Sequence, residues 1–121
     1  MAEPKEFDIE FVRGDSCPVS FTLTDAEGNP LEDMTGTNIY FTVKISYSES
    51  NYIFQKTYSG GTITKNGNKF SLLILPTDTQ SLDYGRYVYD ICVVTSSENY
   101  KATLVRGTIT LTNEATFATN E

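Results

Sequence analysis

The strongest constraint on the fold of this 121-residue chain is an alternation of apolar and polar residues that recurs along its length. The clearest instance covers residues 39–46, in which every second residue is apolar: Ile39, Phe41, Val43 and Ile45. Successive side chains of a β-strand point to opposite faces, so a period of two predicts a strand with one buried and one solvated face. We therefore expect a protein built from strands.

Other segments repeat this pattern. A weaker strand is expected over residues 52–58, and a short helical turn or crossover loop over residues 77–83. Gly107 interrupts the last apolar run and predicts a β-bulge there. The remaining residues predicted to face inward are Phe7, Ile9, Phe11, Cys17, Val19, Phe21, Leu23, Tyr87, Tyr89, Ile91, Val93, Thr103, Val105, Ile109 and Leu111.

These strands predict a single all-β domain over residues 1–112, followed by a polar tail at 113–121. No window of about 11 residues has helical spacing, and no internal repeat or linker divides the chain. Short strands with turn signals at about 8–12-residue intervals favour an immunoglobulin-like β-sandwich of about seven to eight antiparallel strands. A small barrel is the alternative.

Two local motifs refine this prediction. Asn66 and Gly67 lie between two apolar runs and predict a two-residue hairpin turn, because both residues tolerate positive φ. Asp83, Gly85 and Tyr87 have the spacing of a tyrosine corner, in which the hydroxyl bonds back to the backbone upstream. The alternative is an ordinary inward-facing tyrosine after a glycine turn. Antibody domains carry a Cys two residues after this tyrosine, and the present chain does not.

Composition argues against an enzyme and predicts no catalytic, metal or cofactor site. The chain has no His and only two Cys, so neither a Ser-His-Asp or Cys-His nucleophile nor a zinc site of Cys and His ligands can be built. Carboxylates from distant strands could form an acid pair or a calcium site, but their local spacing indicates neither. Strand parity places Cys17 inward and Cys92 outward, which predicts two free thiols.

Charge excludes two classes of partner. The chain has 9 basic and 16 acidic residues, a net charge of −7, so DNA, RNA and anionic membranes are poor partners. The first residues are charged, and no apolar run is longer than residues 72–75, so we expect neither a secretory signal nor a membrane span. A location in the cytoplasm is expected.

Two features suggest a binding role. Arg13-Gly14-Asp15 spells the tripeptide that integrins recognise, although a bend after the first strand is the simpler interpretation. Six tyrosines exceed what the core requires and could stack on sugars or line a protein interface: Tyr40, Tyr47, Tyr52, Tyr58, Tyr84 and Tyr100. A carbohydrate-binding module and an immunoglobulin-like adhesion domain therefore both stay open.

The sequence as a whole resembles a small β-sandwich domain of bacteriophage and prophage structural proteins, similar to the N-terminal domain of baseplate upper proteins. The resemblance spans residues 7–111. It rests on the order and spacing of FVRGD at 11–15, FTLTD at 21–25, GNPL at 28–31, MTGTNIYFTVK at 34–44, LPTDT at 75–79, YGRYVYDI at 84–91 and RGTI at 106–109.

This resemblance implies a non-enzymatic structural and assembly module of a virion, in a tail, baseplate or fibre. Such a protein would fold in the cytoplasm of a bacterial host. Its expected partners are other virion proteins and a second copy of itself, and no binding residue is carried over from the family.

Overall fold

In the computed structural model the described residues are 5–23, 36–67, 69–95 and 100–112, and they form two β-sheets and one short helix. The predicted tail at 113–121 and the side chain of Tyr100 lie outside this part. The elements are β1 (Lys5–Glu6), β2 (Ile9–Val12), β3 (Cys17–Thr22), β4 (Thr37–Lys44), β5 (Phe54–Thr57), β6 (Ile63–Asn66), β7 (Lys69–Ile74), α1 (Pro76–Thr79), β8 (Gly85–Thr95) and β9 (Tyr100–Thr112).

The two sheets pack as the layers of a sandwich. The larger sheet has the order β1-β9-β8-β4-β5, with β2 pairing further along β9, and the smaller sheet has the order β3-β7-β6. All pairs are antiparallel except β1 and β2, which run parallel to β9. The predicted all-β sandwich is confirmed, with its first predicted strand divided into β1 and β2.

The core lies between the sheets and is built from the alternating residues. Ile39, Phe41 and Val43 of β4 are buried against residues of the smaller sheet such as Phe70. Aromatic rings join the strands, as in the 5.2 Å separation between the ring centroids of Phe41 and Tyr89. Full burial of each such apolar side chain stabilises the fold by about 1.5–3 kcal/mol.

The predicted facing of two apolar residues is wrong. Phe7 is 61% exposed and Ile45 is 63% exposed. Phe7 lies where the N-terminal strand breaks, because the Asp8 carboxylate accepts the Thr108 backbone N–H at 3.0 Å and interrupts the ladder. Ile45 follows the last residue of β4 and no longer obeys its alternation.

The predicted bulge at Gly107 is also wrong. The register shifts between Ile91, which pairs with Val105, and Cys92, which pairs with Thr103, so Leu104 is the extra residue. Thr103 consequently shares the outward face of Cys92. Gly107 instead admits a close backbone approach, since a Cβ there would lie 2.0 Å from the Phe7 carbonyl oxygen.

The β6–β7 hairpin is present with its turn one residue later than predicted. Asn66 pairs with Lys69 as the last residue of β6, so Gly67 takes the first central position, with φ of 65°. A glycine at that position permits the positive φ that two-residue hairpin turns require.

The segment before β8 forms the tyrosine corner. The Tyr87 hydroxyl donates to the carbonyl oxygen of Asp83 at 2.8 Å. Gly85, with φ of 135°, begins β8 between them. This hydrogen bond fixes the path by which the chain enters the longest strand pair of the larger sheet.

Candidate functional site

A groove of about 390 Å³ lies on the outer face of the larger sheet and is here called the outer groove. It crosses β5, β4, β8 and β9, and the β4–β5 loop forms one end. Its lining residues are Tyr40, Thr42, Lys44, Ser50, Tyr52, Gln55, Asp90, Cys92, Val94, Lys101 and Thr103.

Strand register explains why these side chains meet. Thr42 pairs with Asp90 on one side and with Gln55 on the other, so all three point outward in one row. The Gln55 side-chain amide donates to the Thr42 hydroxyl at 3.0 Å and fixes both side chains. A second row forms in the same way from Tyr40 and its partner Cys92.

The centre of the groove holds a carboxylate with basic neighbours. Burial raises the pKa of Asp90, and the charges of Lys44 and Lys101 oppose that shift. Lys101 is exposed at the rim, whereas Lys44 and Asp90 are half-buried. The groove therefore presents both signs of charge together with hydroxyl, amide and phenol groups.

Cys92 forms part of the floor of the groove. Its outward direction agrees with strand parity, but neighbouring side chains cover it and leave it only 6% exposed. Burial raises the pKa of its thiol, which keeps the sulfur protonated and unreactive at neutral pH. Cys17 and Cys92 are both free, as predicted.

The motifs singled out in the sequence lie elsewhere. Asp83, Gly85 and Tyr87 lie at the start of β8, and Asn66 and Gly67 belong to the smaller sheet; none of them lines the outer groove. Sequence reasoning named Tyr40 and Tyr52 as candidate contact residues but missed Lys44, Gln55, Asp90 and Lys101. The alternating polar residues of β4 could have indicated Lys44, which belongs to this strand.

The Arg13-Gly14-Asp15 tripeptide is not displayed as an adhesion site. Arg13 is only 8% exposed, and its guanidinium donates to the Leu82 carbonyl oxygen at 2.9 Å and stacks 4.1 Å from the centre of the Tyr84 ring. The Gly14 N–H donates to the buried Thr79 hydroxyl at 2.9 Å. These contacts tie the turn after β2 to the segment following α1, which agrees with the structural interpretation.

Tyr47 and Tyr58 are held by contacts within the chain. The Tyr47 hydroxyl donates to the carbonyl oxygens of Tyr89 at 3.2 Å and Gly107 at 3.1 Å. Tyr58 packs edge-on against the Phe70 ring. Among the described tyrosine side chains, those of Tyr40 and Tyr52 line the groove, and Tyr52 is 55% exposed.

Within residues 5–23, 36–67, 69–95 and 100–112, no group of three or more Cys, Asp or Glu side chains is placed to hold a metal ion. In the same part of the chain, no helix has the length and apolar character needed to cross a membrane.

No protein-family model and no curated protein matches this chain. Among solved structures, the chain is similar to the NK cell receptor NKp44, a triggering partner in natural cytotoxicity. That similarity has a TM-score of 0.49 and 13% sequence identity, and it covers 92% of this chain and 100% of that chain. The assignment to a two-sheet β-sandwich rests on the strand pairing described above.

Proposed function

We propose that this chain is a non-enzymatic structural and interaction module of a bacteriophage or prophage virion, and that it binds other virion proteins through the outer groove. The observation that carries the binding role is the groove itself, in which Lys44, Asp90 and Lys101 lie on three adjacent paired strands, β4, β8 and β9. Strand pairing holds the backbone of these residues in fixed positions, so little backbone order is lost when a partner binds. The assignment to a virion is supported by the sequence resemblance over residues 7–111.

The state of Asp90 supports a binding role for the groove. Its raised pKa means that the carboxylate is desolvated at a cost to the fold. Charged groups retained at such a cost are often those that a partner uses, because function and stability compete at binding sites. A protein partner with an adjacent basic and acidic group would complement Asp90 and Lys101.

A second candidate is carbohydrate binding. Tyr52 is exposed at the end of the groove, and Gln55 lines the same groove with its side-chain amide held by the Thr42 hydroxyl. A sugar ring could stack on the phenol ring while its hydroxyl groups bond to the amide and to Asp90. This function would still be non-enzymatic and would need neither a cofactor nor a metal.

Co-expression with the products of neighbouring genes tests the leading proposal. We expect light scattering to detect a defined complex with a tail or baseplate protein, or a defined homo-oligomer, and Lys101→Glu to weaken it at least tenfold. Lys69→Glu is the matched control, because Lys69 is also exposed but belongs to the smaller sheet. A chain that stays monomeric and binds none of the neighbouring gene products would contradict the proposal.

A glycan array separates the second candidate from the first. Binding that is lost in Tyr52→Ala but kept in Tyr84→Ala would favour the carbohydrate module. Both tyrosines are partly exposed, at 55% and 43%, but only Tyr52 lines the groove. An array with no hit would remove this alternative and leave protein binding.

A further inference from the structure

The two sheets of the sandwich are unequal in width. The larger sheet is five strands wide along its main path, and the smaller sheet has three strands. Beside β3 this mismatch leaves a gap, here called the seam, between residues 6–10 of one sheet and residues 17–22 of the other. Its two adjoining parts have volumes of about 330 and 220 Å³.

The seam reaches the apolar interior. Ile91 and Val105, on the inner face of the larger sheet, line it together with Val19 and Phe21 of β3. Phe7 lines both parts of the seam and is 61% exposed, although its neighbour Ile9 is buried. One further strand beside β3 would cover this apolar surface.

The free edge of β3 is suited to such a strand. Pro18 lies within β3 and has no N–H, so it is accommodated when its backbone faces away from β7. In an antiparallel pair alternate residues share this direction, so the backbone groups of Ser20 and Thr22 also face the seam. No strand of the described residues pairs with that side of β3.

The rim of the seam is acidic. Glu6, Asp8 and Glu10 line it and are exposed, and the Arg106 guanidinium lies 3.9 Å from the Glu6 carboxylate. A second copy of this chain would bring the same carboxylates to the contact, and its net charge is also −7. Charge complementarity therefore favours a basic occupant over self-association.

We propose that the seam binds an extended, basic segment of another protein, which adds to the free edge of β3 as a fourth strand of the smaller sheet. Backbone hydrogen bonds to Ser20 and Thr22 provide the pairing, as in other cases of strand addition. Alternate apolar side chains of the segment enter the seam beside Phe7 and Val19, and basic side chains meet the acidic rim. This site is separate from the outer groove and does not depend on the function proposed for it.

The probe is an eight-residue peptide of alternating valine and lysine, blocked at both ends and titrated into the full chain. We expect amide hydrogen exchange at Ser20 and Thr22 to slow at least tenfold in the presence of the peptide. A peptide of alternating valine and glutamate is the control for charge and should bind at least tenfold more weakly. Absence of protection at both amides, or equal binding of the two peptides, would overturn the proposal.

Two variants locate the binding. Ser20→Pro removes a seam-facing N–H without removing a bond to β7, and should weaken peptide binding at least tenfold, whereas Ser20→Ala should not. Phe7→Ala removes an exposed ring and should weaken binding about fivefold while the unfolding midpoint stays near that of the parent chain. Unchanged binding in Ser20→Pro and Phe7→Ala, or dimerisation of the free chain through β3, would contradict the assignment.

Discussion

The Tyr89 hydroxyl donates a hydrogen bond to the Phe7 carbonyl oxygen across 2.5 Å, and this bond connects the centre of β8 with the break between β1 and β2. Tyr89 is only 2% exposed, and burial raises the pKa of its phenol. The first strands are therefore attached to the core by a buried side chain as well as by their pairing with β9.

Replacing Tyr89 with Phe removes this donor and leaves the Phe7 carbonyl without it. We expect a loss of about 1–2 kcal/mol in the free energy of unfolding and faster amide exchange over residues 5–12. Denaturant unfolding and hydrogen exchange measure both effects. Tyr52→Phe is the control, because that ring is 55% exposed. Equal stability of the two variants would show that the Tyr89 bond contributes nothing.

Gly107→Ala should disturb the same junction. The added Cβ would lie 2.0 Å from the Phe7 carbonyl oxygen and 3.1 Å from the Asp8 carboxylate, so the N-terminal strand must move. We expect a loss of about 3 kcal/mol, the upper range for overpacking in a folded protein. Thr64→Ala, at an exposed strand position, should change the thermal midpoint little. A Gly107→Ala variant as stable as this control would mean that the junction adjusts freely.

Lys56 and Asp78 form a buried ion pair between β5 and α1. Their Nζ and Oδ2 atoms are 2.6 Å apart, and the side chains are 8% and 16% exposed. Lys56→Ala leaves a buried carboxylate without its cation, so we expect a loss of about 3 kcal/mol. A double-mutant cycle with Asp78→Ala measures the coupling. Additive effects of the two changes would exclude a direct interaction.

The raised pKa of Asp90 predicts how the stability of the fold depends on pH. Because its pKa is raised in the folded chain, the folded state keeps this proton over a pH range in which the unfolded state has lost it. The contribution of this group to stability therefore falls as pH rises from its ordinary value of 3.8 through the raised one. Asp90→Asn should unfold at a higher temperature than the parent chain at pH 7.

The control for this experiment is Asp15→Asn, an exposed change that removes the same formal charge. The gain from Asp90→Asn should shrink as the pH is lowered through the raised pKa of Asp90, since the parent carboxyl then becomes neutral as well. If the rise in unfolding temperature does not change with pH, or is equal in the two variants, then it does not come from the ionisation of Asp90.

The hydrogen bond of the tyrosine corner is expected to contribute less to the free energy of unfolding than the contacts above. Tyr87→Phe removes the 2.8 Å bond to the Asp83 carbonyl oxygen, which lies near solvent, so water can replace the lost donor. We expect a loss of about 0.5 kcal/mol, at the lower end for a hydrogen bond. A loss above 2 kcal/mol in chemical denaturation would indicate that the bond is shielded from water.

Alternation predicted much of the fold because it is a local property. Phe41 and Val43 face the core and the polar Thr42 between them faces outward, and this alternation can be read without knowing any distant partner. The extra residue at Leu104 could not be predicted, because a bulge is defined by the register against β8. For that reason the outward direction of Thr103 was missed.

The outer groove was even harder to predict from the sequence, because its lining depends on which strands pair and in which register. Asp90 and Gln55 are 35 positions apart and come together only because both flank Thr42. The inward direction of Lys56 could not be predicted from its sequence neighbours. The carboxylate that pairs with it belongs to Asp78, on the separate four-residue helix α1, and only the folded chain brings the two together. The hairpin and the corner were recognised in advance because each depends on a few neighbouring residues.

The parallel pairing of β1 and β2 with β9 determines how the domain would respond to mechanical force. Lys5 pairs with Val105 and Val12 with Thr112, so residue 5 and residue 112 lie at opposite ends of this pairing, roughly 23 Å apart along the strands. Tension applied between those two points would load the bonds between the strands in shear, all at once. Rupture would then require many bonds to fail together, whereas strands pulled apart from one end would separate one bond at a time.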